Sequence, residues 1–142
     1  MANRPHEMAY YEAQYARIQN DPLLQGAVVF DEHGNDMPEW YQKIGVAVSV
    51  SDFESFHFTL ADGAASAAIP VSLAWPGAEL IYPNSWLSTS VDEMAKRVLD
   101  TTKDEDMFST TANEAQDFAS HQYNRRNTLD ALLQIAMGNQ NS

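Results

Sequence analysis

The chain has 142 residues, 44% of them hydrophobic, and sets twenty acidic side chains against eight basic ones, a formal net charge of −12. That length suits one domain, residues 1–142, with enough apolar side chain to offset the ordering entropy of a globular fold. The absence of cysteine excludes a disulfide framework, a thiolate zinc site, an iron–sulfur cluster and a cysteine nucleophile.

Pro5 suits a helix N-terminus, and Met8, Tyr11, Tyr15 and Ile18 then recur at spacings of three and four, as one face of an amphipathic helix does. Asn20-Asp21-Pro22 ends it. GAVVFDE reads as a strand, His33-Gly34-Asn35 as a hairpin turn, and DMPEWYQ as the return strand. IGVAVSV at 44–50 is a β-branched apolar run. FESFHFTL at 53–60 alternates Phe56 and Phe58 with Ser55, His57 and Thr59, the period of a half-buried strand. ADGAAS supplies a turn, AAIPVSLAW at 67–75 a strand whose Pro70 suits an edge or bulge, and ELIY at 79–82 a last short strand.

The period then changes from two to 3.6. Ser90-Val-Asp-Glu93 has capping-box spacing, and Val91, Met94, Ala95, Val98 and Leu99 give the helix after it an apolar face. KDED at 103–106 reads as a solvated connection. Thr111-Ala-Asn-Glu114 opens a longer helix carrying Phe118, Leu129, Leu132, Leu133 and Ala136, stopped at Gly138. The expected fold is α+β: an N-terminal helix, an antiparallel meander of about four to five strands, and two C-terminal helices on one face of the sheet.

Several chemistries find no support. Phe30 to Trp40 reads FDEHGNDMPEW and concentrates four carboxylates with His33. A calcium loop needs glycine at its sixth position and a bidentate acid at its twelfth. Counted from Asp31, Gly34 is fourth and Gln42 stands twelfth, so the segment reads as a turn and no metal or other cofactor is expected. His57 in FHFT resembles half of the paired motif of two-histidine phosphoesterases, but HEM, HGN and HQY offer no second copy. Nucleophile-elbow, Walker and dinucleotide glycine patterns are all absent. Trp40, Trp75 and Trp86 read either as core caps or as partner anchors. Arg125-Arg126 is a poor footprint for nucleic acid in so acidic a protein.

Charge distribution carries the functional expectation. Residues 18–95 hold eleven acids against the single base Lys43, a local charge of −10. A field of that sign repels nucleic acid and anionic membranes and attracts basic partners at a salt-sensitive rate. No run approaches the ~20 apolar residues of a membrane span and MANRPHEMAYYEAQ has no apolar signal core, so a cytoplasmic protein is expected. The leading expectation is a non-enzymatic inhibitor, in the style of phage or mobile-element proteins, that mimics DNA charge and occludes a basic nucleic-acid-binding surface on a host protein. Asp31, Glu32, Asp36, Glu39, Asp52, Glu54 and Asp62 are its charged contacts and Trp40 its apolar anchor. A virion assembly protein forming homo-oligomers through its tyrosine-rich or leucine-rich helix is the second expectation. A small hydrolase dependent on His57 is the third.

Overall fold

The computed structural model describes residues 7–32 and 34–138; Pro5 and His33, and with His33 the apex of the expected hairpin, lie outside them. The chain divides into two compact units, one ending at Asn35 and one beginning at Asp36.

The first unit holds α1, Met8–Asn20, whose last turn closes with the Asp21 N–H donating to the Arg17 carbonyl. Asp21 then accepts from the Leu23 amide at 2.9 Å, stabilising the turn that follows. The helix is the one expected, but none of its residues is buried. Tyr15 packs its ring 5.2 Å from Phe30, and residues 28–32 form no strand.

The second unit opens with α2, Met37–Tyr41, where a return strand was expected. Pro38 stands in its first turn, where a missing N–H costs nothing and the fixed φ favours helix. Next come β1, Val46–Ser49; α3, Phe58–Ala65; β2, Ile69–Leu73; two short 3₁₀ turns at Ala78–Leu80 and Asn84–Trp86; and β3, Leu87–Ser88. Three helices follow: α4, Val91–Thr102; α5, Glu105–Gln122; and α6, Arg125–Gly138.

The sheet overturns the expected meander. It is open, three-stranded and wholly parallel, in the order β1-β2-β3, with Val46 opposite Ile69 and Ser72 opposite Leu87. The cause is the segment expected as a strand at 53–60. Its second half belongs with ADGAAS, where Leu60, Ala61 and Ala64 recur at helical spacing and are buried as one face of α3. A helix between two apolar runs is the crossover that parallel pairing requires. ELIY is likewise no strand, its first residues lying in a 3₁₀ turn.

Pro70 lies in the central strand rather than at an edge. The Ile69 N–H donates to Gly45 on the β1 side, so the next nitrogen points toward β3, which pairs with β2 only from Ser72 onward. The proline nitrogen therefore interrupts no ladder bond.

Helices occur between and after the strands and cover both sheet faces, instead of packing on one. Gly63 in α3 meets Ala47 so closely that a Cβ there would stand 2.7 Å from the alanine Cβ. On the other face Ile69 and Val71, with Val46 and Leu73, pack against Met94, Val98, Phe108 and Ala112 from α4 and α5. A second cluster joins Leu60, Ala64, Trp75, Tyr82, Trp86, Ala115 and Ala119, so Trp75 and Trp86 are core residues.

The C-terminal helices also differ from expectation. Ser90 caps α4 as its spacing implied, accepting from the Glu93 amide, while the Glu93 carboxylate turns back to the Thr89 N–H and hydroxyl. The connection expected at KDED is shorter, Lys103 and Asp104 alone: the Asp104 carboxylate accepts from the Met107 amide, and α5 begins at Glu105. Thr111-Ala-Asn-Glu114 is thus interior to α5. The single longer helix is broken at residues 123–124, and Asn124 Oδ1 accepts from the Arg126 amide at the start of α6.

Candidate functional site

Because the three strands run parallel, their carboxyl ends share one edge of the sheet, the place where open α/β sheets bind ligands. That edge is built from residues 50–57 after β1, Ala74 and Trp75 after β2, and Thr89 and Ser90 after β3.

The loop 50–57 is held at both ends. Ser49, buried at the end of β1, places its Oγ 2.5 Å from His57 Nε2 and accepts from the Ser51 amide. The Tyr82 hydroxyl donates to the His57 carbonyl at 2.9 Å. Phe56 anchors the loop from below, its ring 5.4 Å from Tyr123 and 5.8 Å from Tyr82. Burial pushes the Tyr82 phenol well above the ordinary tyrosine range and the Tyr123 phenol up to about 12. Both remain neutral donors.

Between those anchors the loop presents chemistry outward. Asp52 is exposed and Glu54 half-buried; Phe53 is 84% exposed and Phe58, the first residue of α3, 68%, so two exposed rings lie close in sequence to two carboxylates. His57 precedes α3, yet its side chain turns to Ser49 and caps no amide. The first turn of α3 therefore has no side-chain cap from His57, whose carbonyl accepts from the Leu60 amide, and Glu54 stands four residues before that positive end. The neighbouring N-terminus of α4 differs, since Ser90 and Glu93 already occupy its end. Ser88 is fully buried at the end of β3, and its hydroxyl has no partner among the described residues.

The carboxylates singled out in the sequence fall in three places. Asp31 and Glu32 are exposed in the first unit. Asp36 precedes α2, Glu39 is exposed on it, and Trp40 is half-buried with its ring 5.2 Å from Tyr41. Asp62 lies on α3 and lines a cavity of about 240 Å³ with Met37, Pro38 and Tyr41 of α2. Only Asp52 and Glu54 belong to the carboxyl edge. Ser49, Phe53, Phe58 and Tyr82 were not singled out; the helical spacing of Leu60, Ala61 and Ala64 was the signal that would have placed 50–57 at a carboxyl edge.

Among the described residues no group of three or more histidines and carboxylates could hold a metal ion. None of the described helices is long and apolar enough to cross a membrane. Comparison with protein-family models, with curated proteins and with solved structures finds no match to this chain.

Proposed function

We propose that the carboxyl edge of the sheet binds a nucleotide-like ligand, a phosphorylated compound carrying hydroxyls and a ring. The observation that carries this reading is one stretch, residues 50–58, holding two carboxylates, two exposed aromatic rings and the start of a helix without a cap from its preceding side chain, at the carboxyl end of a parallel strand. Each part suits one part of such a ligand. Helix amides favour phosphate oxygens, carboxylates accept from ribose or sugar hydroxyls, and rings stack on a base or sugar face. The arrangement supports binding; it singles out no nucleophile, since among the described residues the Ser49–His57 pair has no third group that orients the base.

The test is calorimetric titration with nucleoside mono-, di- and triphosphates. Binding at about 1 mM or tighter is expected. Glu54→Gln should weaken it about tenfold, the loss of one charge-assisted hydrogen bond. Phe58→Leu removes a ring and Phe58→Pro removes a ring and an amide, so a further loss in the proline variant isolates the amide contribution. No heat with any nucleotide, or binding indifferent to all three variants, would sink the proposal.

A second reading rests on a different observation. Asp31, Glu32, Asp36, Glu39, Asp52 and Asp62 are all exposed in a chain of net charge −12, which favours docking to a basic partner surface. Salt separates the two. Added salt weakens capture of a basic partner, whereas it screens the repulsion between this protein and an anionic nucleotide.

A further inference from the structure

No residue of α6 is buried, although the helix carries three leucines, an isoleucine and a methionine. A helix of 14 residues is marginal in water on its own propensity and draws most of its stability from packing an apolar face. Leu129, Leu132, Leu133 and Ala136 follow the spacing i, i+3, i+4, i+7 and so share one face. The three leucines are 48% to 58% exposed, which leaves that face open to water.

Charge sets α6 apart from the rest of the chain. Arg125 and Arg126 stand in its first turn with no acid beside them, and its last turn holds no base. The first end therefore opposes the helix dipole, and the last leaves its carbonyls without a cation. With Asp130 as its one acid, α6 is the one described element in which bases outnumber acids, in a chain of net charge −12. Two copies, each strongly negative as a whole, repel each other least at this helix.

We propose that α6 is the contact surface of a homodimer, in which two copies pair their α6 helices antiparallel about a two-fold axis passing between Leu132 and Leu133. The face is self-complementary in that arrangement, as an isologous interface requires. Leu132 of one copy meets Leu133 of the other, and Leu129 meets Ala136, large side chain against small. Each helix brings its C-terminal carbonyls beside the arginines of the other, so each end receives the charge it lacks. An anionic membrane also suits an apolar helix flanked by arginines, but it repels a chain of this net charge. A pair of helices each about 21 Å long forms a small interface, so a Kd of about 10–100 µM is expected. The face includes no residue of the carboxyl edge, so dimerisation and nucleotide binding can each fail without the other.

The test is sedimentation equilibrium of the full chain from about 5 µM to about 1 mM, a range that brackets the expected Kd. The mean mass should rise from that of one chain toward that of two. Leu132→Glu sets two carboxylates beside the axis and should weaken the dimer at least about tenfold. Ala131→Glu adds the same charge on the opposite side of the helix and should change association less than about twofold. Both positions are exposed, so neither change disturbs the core. Orientation is read from disulfides, because the chain has no cysteine of its own. Leu129→Cys and Ala136→Cys chains, mixed in equal amounts and oxidised, should cross-link to each other; parallel helices would join like variants only. The cysteine pair decides even if Leu132→Glu fails to fold. A chain that stays monomeric at about 1 mM overturns the proposal. So does a dimer that Leu132→Glu leaves intact, or one whose disulfides join only like variants.

Discussion

Gly63→Ala tests the closest helix-to-sheet approach in the second unit. An added Cβ would stand 2.7 Å from the Ala47 Cβ, whereas ordinary contact begins near 3.4 Å, so α3 and β1 must separate by most of an ångström. Both atoms are fixed to backbone and neither can swing away. Overpacking of this kind costs about 1–3 kcal/mol. Alanine replacing glycine within a helix returns about 1 kcal/mol. The net expectation is a loss of about 1 kcal/mol, and the decisive quantity is the coupling with Ala47→Gly, which removes the opposing methyl. Urea unfolding of the wild type, both single variants and the double variant should give a favourable coupling of about 1–2 kcal/mol. A coupling below about 0.5 kcal/mol would show that α3 does not press on β1. α3 would then not be seated on the sheet by this contact, and its place as the crossover would be overturned.

Further tests address the helix ends and titrating groups. Ser90→Ala removes the acceptor of the Glu93 amide and should destabilise α4 by about 1 kcal/mol in urea unfolding, with serine-to-glycine costing less. Asp100 is held down at about 2 by hydrogen bonds from Lys103 and Lys96, and Glu93 is held below its usual value first by the Thr89 amide and then by its hydroxyl. Carboxyls with lowered pKa stabilise the fold above their unfolded pKa and lose that contribution as pH falls through the folded value. Stability should therefore drop between about pH 4 and pH 2, and Asp100→Asn should flatten part of the slope measured by unfolding across that range. The tyrosines shift the other way. Tyr82, buried, and Tyr123, half-buried, should stay un-ionised in absorbance titrations until about pH 12 or until alkaline unfolding. Tyr123→Phe leaves the Ile81 carbonyl without its donor and should lower stability by about 1 kcal/mol while removing one late-titrating group.

Local signals in the sequence account for much of what formed. The spacing of Val91, Met94 and Val98 behind Ser90, the Asn20-Asp21-Pro22 stop, and the β-branched runs at 44–50 and 67–75 each place an element where the structure has one. These signals need only nearest neighbours along the chain: a cap, a breaker, a period. Net charge and the absence of cysteine are likewise properties of the sequence alone.

What the tertiary structure decided is how those elements pair. Phe56-His57-Phe58 alternates like a strand, yet Phe56 packs on the core while Phe58 begins α3 exposed, and Gly63 within that helix allows close approach to β1. Whether IGVAVSV and AAIPVSLAW run parallel or antiparallel depends on what lies between them, and the helical spacing of Leu60, Ala61 and Ala64 there is short and masked by the strand-like alternation just before it. Once α3 is a crossover, the strands must be parallel. Their carboxyl ends then meet on one edge, which brings Asp52, Glu54, Ser49 and His57 into one candidate site and leaves Asp62 on the flank facing α2. Composition could count those acids, but only long-range packing could sort them.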